Sequence, residues 1–270
     1  MIIISAWARR FAPLPILQQV LILSGLLILV PGAPAAAECA ADVLGTSRVL
    51  AVEPAAFPRV GRKQFAATLA LDRREVVLTF DDGPWPGTTA KILDALRAEC
   101  VRATFFVLGR NALAHPDILR RELSEGHTVA HHTWSHPLLS RIGASAAEAE
   151  IDRGIAAVDG VLYGKRESQP VTPFFRFPGF ASSPALLDYL ARRRIVVFGA
   201  DLWASDWNPM SPDAELRLVL RRLEQARGGI VLFHDTKRQT AAMLPALLRA
   251  LKARGFRVVH VVPVNPAGSR

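Results

Sequence analysis

The chain has 270 residues, of which 50% are hydrophobic and 21% charged, and this composition excludes a disordered or collagen-like protein. Its two cysteines exclude a disulfide-dense miniprotein and a multi-cysteine zinc-finger array. The formal net charge of +9 is compatible with anionic partners such as a cell wall or a lipid surface, and equally with a soluble basic enzyme that has no such partner. No nucleic-acid-binding motif accompanies the charge, and we expect no nucleic-acid partner.

Residues 1–37 are predicted to be a secretory signal. Arg9 and Arg10 precede an apolar run from Val20 to Val30, and Ala35 and Ala37 form a small-x-small cleavage motif. The run is short for a membrane span, which needs about 20 residues, although a retained N-terminal anchor is the alternative. Either interpretation predicts an exported protein in the periplasm or outside the cell, with membrane attachment in the second case.

The rest of the chain is predicted to comprise an irregular extension over residues 38–70 and one domain over residues 71–265. In the domain, short apolar runs alternate with amphipathic segments. The predicted strands are Glu75–Phe80, Ala103–Leu108, Phe174–Phe175, Ile195–Gly199, Gly229–Phe233 and Arg257–Val262; the predicted helices are Thr88–Glu99, Pro116–Glu125, Ser145–Leu162, Pro184–Arg194, Pro212–Gln225 and Met243–Arg254. Because the apolar runs are continuous, they indicate a parallel sheet covered on both faces, in an α/β barrel or a doubly wound sheet.

Cys39 and Cys100 are the only thiols of the chain. In an oxidising compartment they can pair and tie the N-terminal tail to the end of the first predicted helix. Two unrelated cysteines, one of them buried, are the alternative, since a sequence gives no distance between thiols. We favour the disulfide slightly.

Two adjacent carboxylates, Asp81 and Asp82, end the first predicted strand of the domain in the segment TFDDGP. Ligands of α/β proteins bind at this edge of the sheet. Neighbouring carboxylates repel each other, so the pKa of one rises unless a cation neutralises it. A metal ion bound to one carboxylate would leave the other as a base. The alternative is a structural turn or helix cap before Thr88.

Two histidines, His132 and His136, lie at positions i and i+4 of the segment HTWSH. They face the same side if this segment is helical, but Pro137 must end any such helix. Thr133 stands where the HExxH metalloprotease motif has its catalytic glutamate, so a base must come from elsewhere. The pair favours a two-histidine, one-carboxylate metal site as strongly as it does a structural role.

Four further residues follow later predicted strands. His234 is a candidate general acid, with helix capping as the alternative. Asp206 can orient a histidine, and Trp207 can form an apolar wall. Arg176 can keep a carboxylate ionised by pairing with it. Each signal is weak alone, but all of them fall at the same edge of the predicted sheet.

The segments TFDDGP, HTWSH, RFPG, DW and LFHD, in this order and spacing, resemble the five motifs of polysaccharide deacetylases, the NodB homology domain or carbohydrate esterase family 4. The resemblance runs from about Glu75 to Val262. It implies a distorted (β/α) barrel of seven or eight strands and one divalent metal, chiefly Zn²⁺, with Co²⁺ or Ni²⁺ as alternatives. The implied substrate is an acetylated polysaccharide, and the resemblance implies no oligomeric state.

The implied reaction is hydrolytic removal of N-acetyl groups from polysaccharide that contains N-acetylglucosamine, such as peptidoglycan, chitin oligomers or exopolysaccharide. Three alternatives stay open. The first is an esterase acting on O-acetyl groups, and the second is a non-catalytic carbohydrate-binding relative. The third is a metal-independent enzyme acting on cyclic amides, against which the complete set of metal-ligand residues argues.

Residue by residue, the resemblance implies a catalytic, metal-binding or pocket role for eleven positions. The implied catalytic residues are the base Asp81, the arginine Arg176 that positions it, the general acid His234 and its partner Asp206. The implied metal ligands are Asp82, His132 and His136. The implied pocket residues are Pro178, Gly179, Trp207 and Leu232. The family often has an aromatic residue where this chain has Gly179, whose N–H can still serve an oxyanion hole while Phe180 replaces the missing ring.

Overall fold

Ten strands and seven α-helices make up the part of the chain that the computed structural model describes, which is Cys39, residues 42–164 and residues 169–264. The strands are β1 (Thr46–Val52), β2 (Arg59–Val60), β3 (Glu75–Asp81), β4 (Thr104–Val107), β5 (Thr128–His131), β6 (Phe174–Phe175), β7 (Val196–Phe198), β8 (Leu202–Trp203), β9 (Gly229–His234) and β10 (Arg257–Pro263). The helices are α1 (Thr89–Ala98), α2 (Gly109–Ala114), α3 (Pro116–Ser124), α4 (Ala144–Tyr163), α5 (Pro184–Arg192), α6 (Pro212–Ala226) and α7 (Arg238–Ala253).

The strands pair in the order of a barrel, and every pairing is parallel. β3 lies between β4 and β9, and the ladder continues from β4 through β5 and β6 to β7. At the other end β9 pairs with β8, which follows β7 in the chain. Seven strands therefore surround a common interior, and within the described residues the ladder is open between β7 and β8. This confirms the predicted distorted (β/α) barrel.

Alternate residues of each barrel strand enter two different cores. Val77 of β3 and Ile230 of β9 belong to the cluster inside the barrel, together with Phe106 and Phe198. Leu78 and its alternate neighbours pack outward against the helices. All seven residues of β3 are therefore buried, which explains the continuous apolar run that predicted this strand.

Two predictions over the N-terminal part of the chain have different outcomes. The expectation that residues 38–70 are irregular is wrong at β1 and β2, because β1 pairs with β10 and β2 pairs with β7. Residues of β1 alternate between half-buried and exposed, so the strand lacks the apolar run of the central strands. The signal or anchor predicted over residues 1–37 lies outside the described residues.

The helical predictions hold in position, with differences at some boundaries. Helix α7 begins at Arg238 rather than at Met243, and its Pro245 lies inside the helix. Strands β5 and β8 and helix α2 were not predicted from the sequence. None of the helices in the described ranges has both the length and the hydropathy needed to cross a membrane.

Candidate active site

The barrel alternation places Asp81 and His234 at the same end of the barrel interior. Asp81 follows Val77 and Thr79 on the inward face of β3, and His234 follows Ile230 and Leu232 on β9. The two strands are in register, so Asp81 is the Cα partner of His234. The carboxyl ends of parallel strands meet at one edge of a barrel, and this edge carries the candidate site.

Asp81 is held by a buried arginine. Arg176, which follows β6, has 0% exposure, and its Nη1 donates to Asp81 Oδ1 at 2.6 Å. The remaining donors of Arg176 reach Thr79 Oγ1 (2.8 Å), Gly199 O (2.9 Å) and Phe198 O (3.3 Å). Burial raises the pKa of the Asp81 carboxyl, while the charge of Arg176 opposes this shift. The carboxylate is thereby oriented and kept away from bulk water.

Asp82, His132 and His136 converge at the mouth of the barrel. Asp82 Oδ1 lies 3.3 Å from His136 Nε2 and 3.6 Å from His132 Nε2, and one ligand atom from each residue falls within 4.8 Å of the others. Asp82 Oδ1 is buried and accepts no hydrogen bond among the described residues. One carboxylate oxygen and two imidazole nitrogens in this arrangement suit a divalent cation of the zinc type.

The protonation state of His132 also suits metal binding. Its Nδ1 lies 2.7 Å from the backbone oxygen of Arg176, so Nδ1 carries the proton and donates to this oxygen. The lone pair of Nε2 then faces Asp82. Burial lowers the pKa of His132 to about 3, which keeps the ring neutral. A neutral, oriented imidazole is what a metal ligand requires.

The HTWSH segment is a loop after β5 rather than a helix. Thr133 and His136 have φ values of 72° and 70°, and Asp82 across from them has 80°, all in the left-handed region. His136 N donates to Thr133 Oγ1 at 3.1 Å. Sparsely populated backbone conformations cluster at functional sites, and here they turn both imidazoles toward Asp82.

Helix α4 supports this loop. Glu150 accepts hydrogen bonds from Ser135 N (2.8 Å) and Ser135 Oγ (2.9 Å), and its backbone oxygen accepts one from Trp134 N (2.9 Å). Gly154 lies against the loop so closely that an added Cβ would come within 2.5 Å of the carbonyl carbon of Thr133. Only glycine permits this approach.

His234 is paired with Asp206, the partner that the sequence analysis assigned to it. His234 Nδ1 lies 2.7 Å from Asp206 Oδ1, and Asp206 Oδ2 accepts from His234 N (2.7 Å) and Thr240 Oγ1 (2.9 Å). Burial alone would lower the pKa of His234. The hydrogen bond and charge of Asp206, with the charges of Asp81 and Asp82, raise this pKa to about 9 instead.

Aromatic rings form one wall beside His234. Trp207 is 46% exposed, and its ring centroid lies 6.0 Å from that of His234 and 5.8 Å from that of Trp203. The ring of Phe180 lies 6.1 Å from that of Trp203. Phe180 thus joins the wall that the sequence analysis assigned to Trp207, whereas Trp203 was not predicted.

The other predicted pocket residues are Gly179, Pro178 and Leu232. Gly179 has a φ of 54°, and a Cβ there would lie 2.8 Å from Leu138 Cδ2, so Leu138 would have to move to admit a side chain. Pro178 is buried beside it. Leu232 is 3% exposed and pairs with Thr79 one layer below Asp81 and His234.

Residues that sequence reasoning missed support the predicted ones. Thr79 and Thr240 bond to Arg176 and Asp206, and Asn111 Nδ2 donates to the backbone oxygen of Asp82 at 2.7 Å. The position of Thr79 could have been predicted, since Thr79 shares the inward face of the strand with Asp81. Thr240 and Asn111 lie on helices and approach the site only through the tertiary fold.

The chain is similar to known deacetylases along most of its described length. A sequence model of the polysaccharide deacetylase family matches residues 69–195. A chitooligosaccharide deacetylase of Rhizobium leguminosarum bv. trifolii is 35% identical over 199 residues, which cover 68% of this chain and 89% of the relative. A peptidoglycan-N-acetylglucosamine deacetylase of Listeria monocytogenes is 32% identical over 192 residues, which cover 71% of this chain but only 39% of that enzyme.

A solved structure shares the fold. The peptidoglycan deacetylase of Bdellovibrio bacteriovorus superposes with a TM-score of 0.73 at 31% identity, over 84% of this chain and 62% of that one. The barrel, the five motifs and the near-complete coverage of the Rhizobium relative agree with one another. The chain belongs to the polysaccharide deacetylase family.

Proposed function

We propose that the protein is a metal-dependent hydrolase that removes N-acetyl groups from polysaccharide containing N-acetylglucosamine. One observation carries this proposal: two neighbouring carboxylates have different partners. Asp81 is paired with Arg176, and Asp82 is grouped with His132 and His136. The arrangement gives two consecutive residues different roles: Asp81 is a candidate base and Asp82 a candidate metal ligand.

A divalent cation held by Asp82, His132 and His136 would supply Lewis-acid polarisation of the acetamide carbonyl and acidify nearby water. Asp81, oriented by Arg176, accepts the proton of the attacking water. The Gly179 N–H stabilises the negative charge that develops on the carbonyl oxygen. His234 donates its proton to the leaving nitrogen, and the products are acetate and a free amino sugar.

The raised pKa of His234 suits the hydrolysis of an amide. An amine leaves only after its nitrogen is protonated, whereas an alcohol leaves more readily. Asp206 raises the pKa of His234 to about 9, so the ring is protonated and a proton is available for this step at neutral pH.

The test is acetate release from chitotetraose, with acetylated xylan assayed in parallel. Asp81→Asn should lower kcat by roughly 10²- to 10⁴-fold, because it removes a proton acceptor. A chelator should abolish turnover, and added zinc should restore it. Asp117→Asn, at a 97% exposed side chain on α3, is the matched control and should leave turnover unchanged. Full turnover by folded Asp81→Asn, or turnover that resists the chelator, would contradict the proposal.

We also propose that the protein works outside the cytoplasm. The Cys39–Cys100 disulfide, with a Cα–Cα distance of 6.0 Å, supports an oxidising compartment. Cell fractionation and mass spectrometry of the isolated protein should find it exported, with residues 1–37 either removed or retained as an anchor. A full-length, reduced protein in the cytosol would contradict export.

A further inference from the structure

The candidate active site continues into a second cavity that no part of the proposed mechanism uses. The cavity at the metal site, of about 450 Å³, is lined by Asp82 and His136 and also by Arg110 and Lys237. The second cavity, of about 470 Å³, lies between the starts of α1 and α7. Trp85 and Thr236 line both cavities, so the two are adjacent.

The second cavity is positively charged. Lys91 of α1 and Arg238 of α7 line it, and no acidic residue does. The N-terminal ends of these two helices, of 10 and 16 residues, add the positive ends of their dipoles to the same space. A concave surface lined by one sign of charge concentrates its field and attracts ligands of the opposite sign.

The cations along both cavities lack internal partners. Within the ranges that the structure describes, Lys91, Arg110, Lys237 and Arg238 form neither an ion pair nor a side-chain hydrogen bond. Arg121, by contrast, is paired with Asp94 and Glu125. The four unpaired cations are therefore available to an external anion.

Trp85 supplies an apolar platform between the two cavities. It is 47% exposed, although large aromatic side chains are usually buried, and its backbone N–H is fixed by Thr89 Oγ1 at 2.8 Å. A flat aromatic face can stack against the apolar face of a sugar ring. Since Trp85 lines both cavities, a sugar resting on it would lie between the cavity of Asp82 and His136 and the cavity of Lys91 and Arg238.

We propose that the second cavity is a subsite for a carboxylate carried by a sugar next to the N-acetylglucosamine that is deacetylated. The inference rests on the proposed function, and it narrows the substrate to acidic polysaccharide. Two sugars present this chemistry: a uronic acid, through its ring carboxylate, and a sugar with a lactyl ether, such as N-acetylmuramic acid. Both carry the carboxylate on the sugar that adjoins the N-acetylglucosamine, so the adjacent cavity of Lys91 and Arg238 can receive it.

The experiment compares each acidic glycan with its own carboxyl-reduced form, in which the carboxylate is converted to an alcohol. The two glycans are a hyaluronan tetrasaccharide and a tetrasaccharide of alternating N-acetylglucosamine and N-acetylmuramic acid. We expect the zinc-loaded protein to favour at least one acidic glycan over its reduced form by roughly 3- to 10-fold in kcat/KM at low salt, the range that two exposed charge pairs supply. The preference should shrink as salt screens the charges.

The variant Lys91→Gln combined with Arg238→Gln should remove this preference. Arg217→Gln, at an exposed position on α6 away from both cavities, is the matched control and should keep it. A preference confined to one glycan identifies the source of the carboxylate. No preference for either glycan in the unsubstituted protein, or a preference that the double variant retains, would overturn the subsite.

Binding measured by calorimetry with the Asp81→Asn variant separates this inference from the proposed function. If the unsubstituted protein releases no acetate from any glycan, but Asp81→Asn binds the acidic forms more tightly and loses this preference when Lys91 and Arg238 are also replaced, the catalytic proposal fails and the subsite stands. If acetate is released equally from acidic and reduced forms, and both bind equally, the subsite fails and the catalytic proposal stands.

Discussion

Asp81 and Asp82 are chemically identical neighbours that the fold places in different surroundings. The two-residue period of β3 turns Asp81 into the barrel interior, where Arg176 meets it at 2.6 Å. Asp82, at a φ of 80°, leaves the strand and points toward the two imidazoles. In the proposed mechanism, these separate environments allow one carboxylate to accept a proton while the other holds a cation, which would offset their mutual repulsion.

The raised pKa of the single residue His234 leads to a prediction of how activity depends on pH. Its pKa is raised to about 9, so the protonated ring contributes stability that is fully present below pH 6.5 and is lost as the pH rises through about 9. If His234 is the general acid, kcat should fall over the same upper range. Asp206→Asn removes the charge that raises this pKa, and burial should then bring the alkaline limb of kcat to lower pH.

The measurement is the pH profile of kcat on chitotetraose, with nitrogen NMR of the His234 ring as a direct titration. Asp188→Asn, at a 66% exposed side chain on α5, provides the control and should keep the original limb. An alkaline limb that stays in place in Asp206→Asn would show that His234 is not the group titrating in kcat.

Single residues divide into those that a sequence reveals and those that it does not. His132 and His136 were singled out by their spacing and Asp82 by its place after a predicted strand, the family motifs joined the three, and the structure brings them within 4.8 Å. The four acceptors around Arg176 come from β3, β7 and the residue after β7. Their convergence depends on barrel closure, which local patterns do not encode.

Among the elements, α4 supports the loop of residues 133–136, which carries part of the candidate metal site. Gly154 packs against Thr133, where a Cβ would lie 2.6 Å from the carbonyl oxygen. Alanine is the better helix former by about 1 kcal/mol, so Gly154→Ala would favour an isolated helix. In the protein the methyl group must displace the loop, and we expect a loss of roughly 10- to 100-fold in zinc affinity, as for other changes that disturb ligand orientation.

Zinc titration against a competing chelator measures this effect, and circular dichroism confirms that the variant is folded. Ala149→Gly changes the same pair of residue types at an exposed position of α4 and should leave zinc affinity unchanged. Wild-type zinc affinity in Gly154→Ala would mean that the loop does not depend on its contact with the helix.

The burial and length of the strands explain why some of them were predicted and others were not. Strands β3 and β9 are buried on both faces, and their apolar runs made them evident. β1 has three of its seven residues exposed. It is fixed by partners far along the chain: β10, and Glu75, which Arg48 meets at 2.7 Å. The short strand β8 has only two residues, too few for any periodic pattern.

For the whole molecule, the described residues before β1, Cys39 and residues 42–45, form a short tail that is held at the end of α1. The backbone N–H of Gly45 donates to Glu99 O at 2.8 Å, and Leu44 N donates to Glu99 Oε2 at 3.0 Å. The Cys39–Cys100 disulfide joins the same two segments and confirms the pairing that the sequence analysis slightly favoured. These contacts connect the residues just before β1 with the residues that follow α1.

This arrangement predicts how reduction affects global stability. The disulfide spans 61 residues, and a loop of that size restricts the unfolded chain by up to about 4 kcal/mol in the chain-entropy model. Cys39→Ser with Cys100→Ser should therefore lower the urea midpoint of unfolding. It should leave kcat on chitotetraose close to normal below the transition, because neither cysteine contacts the site. An unchanged midpoint would mean that the hydrogen bonds of Leu44 and Gly45 suffice to hold the tail, whereas a loss of kcat in the folded variant would show that the tail positions the catalytic residues.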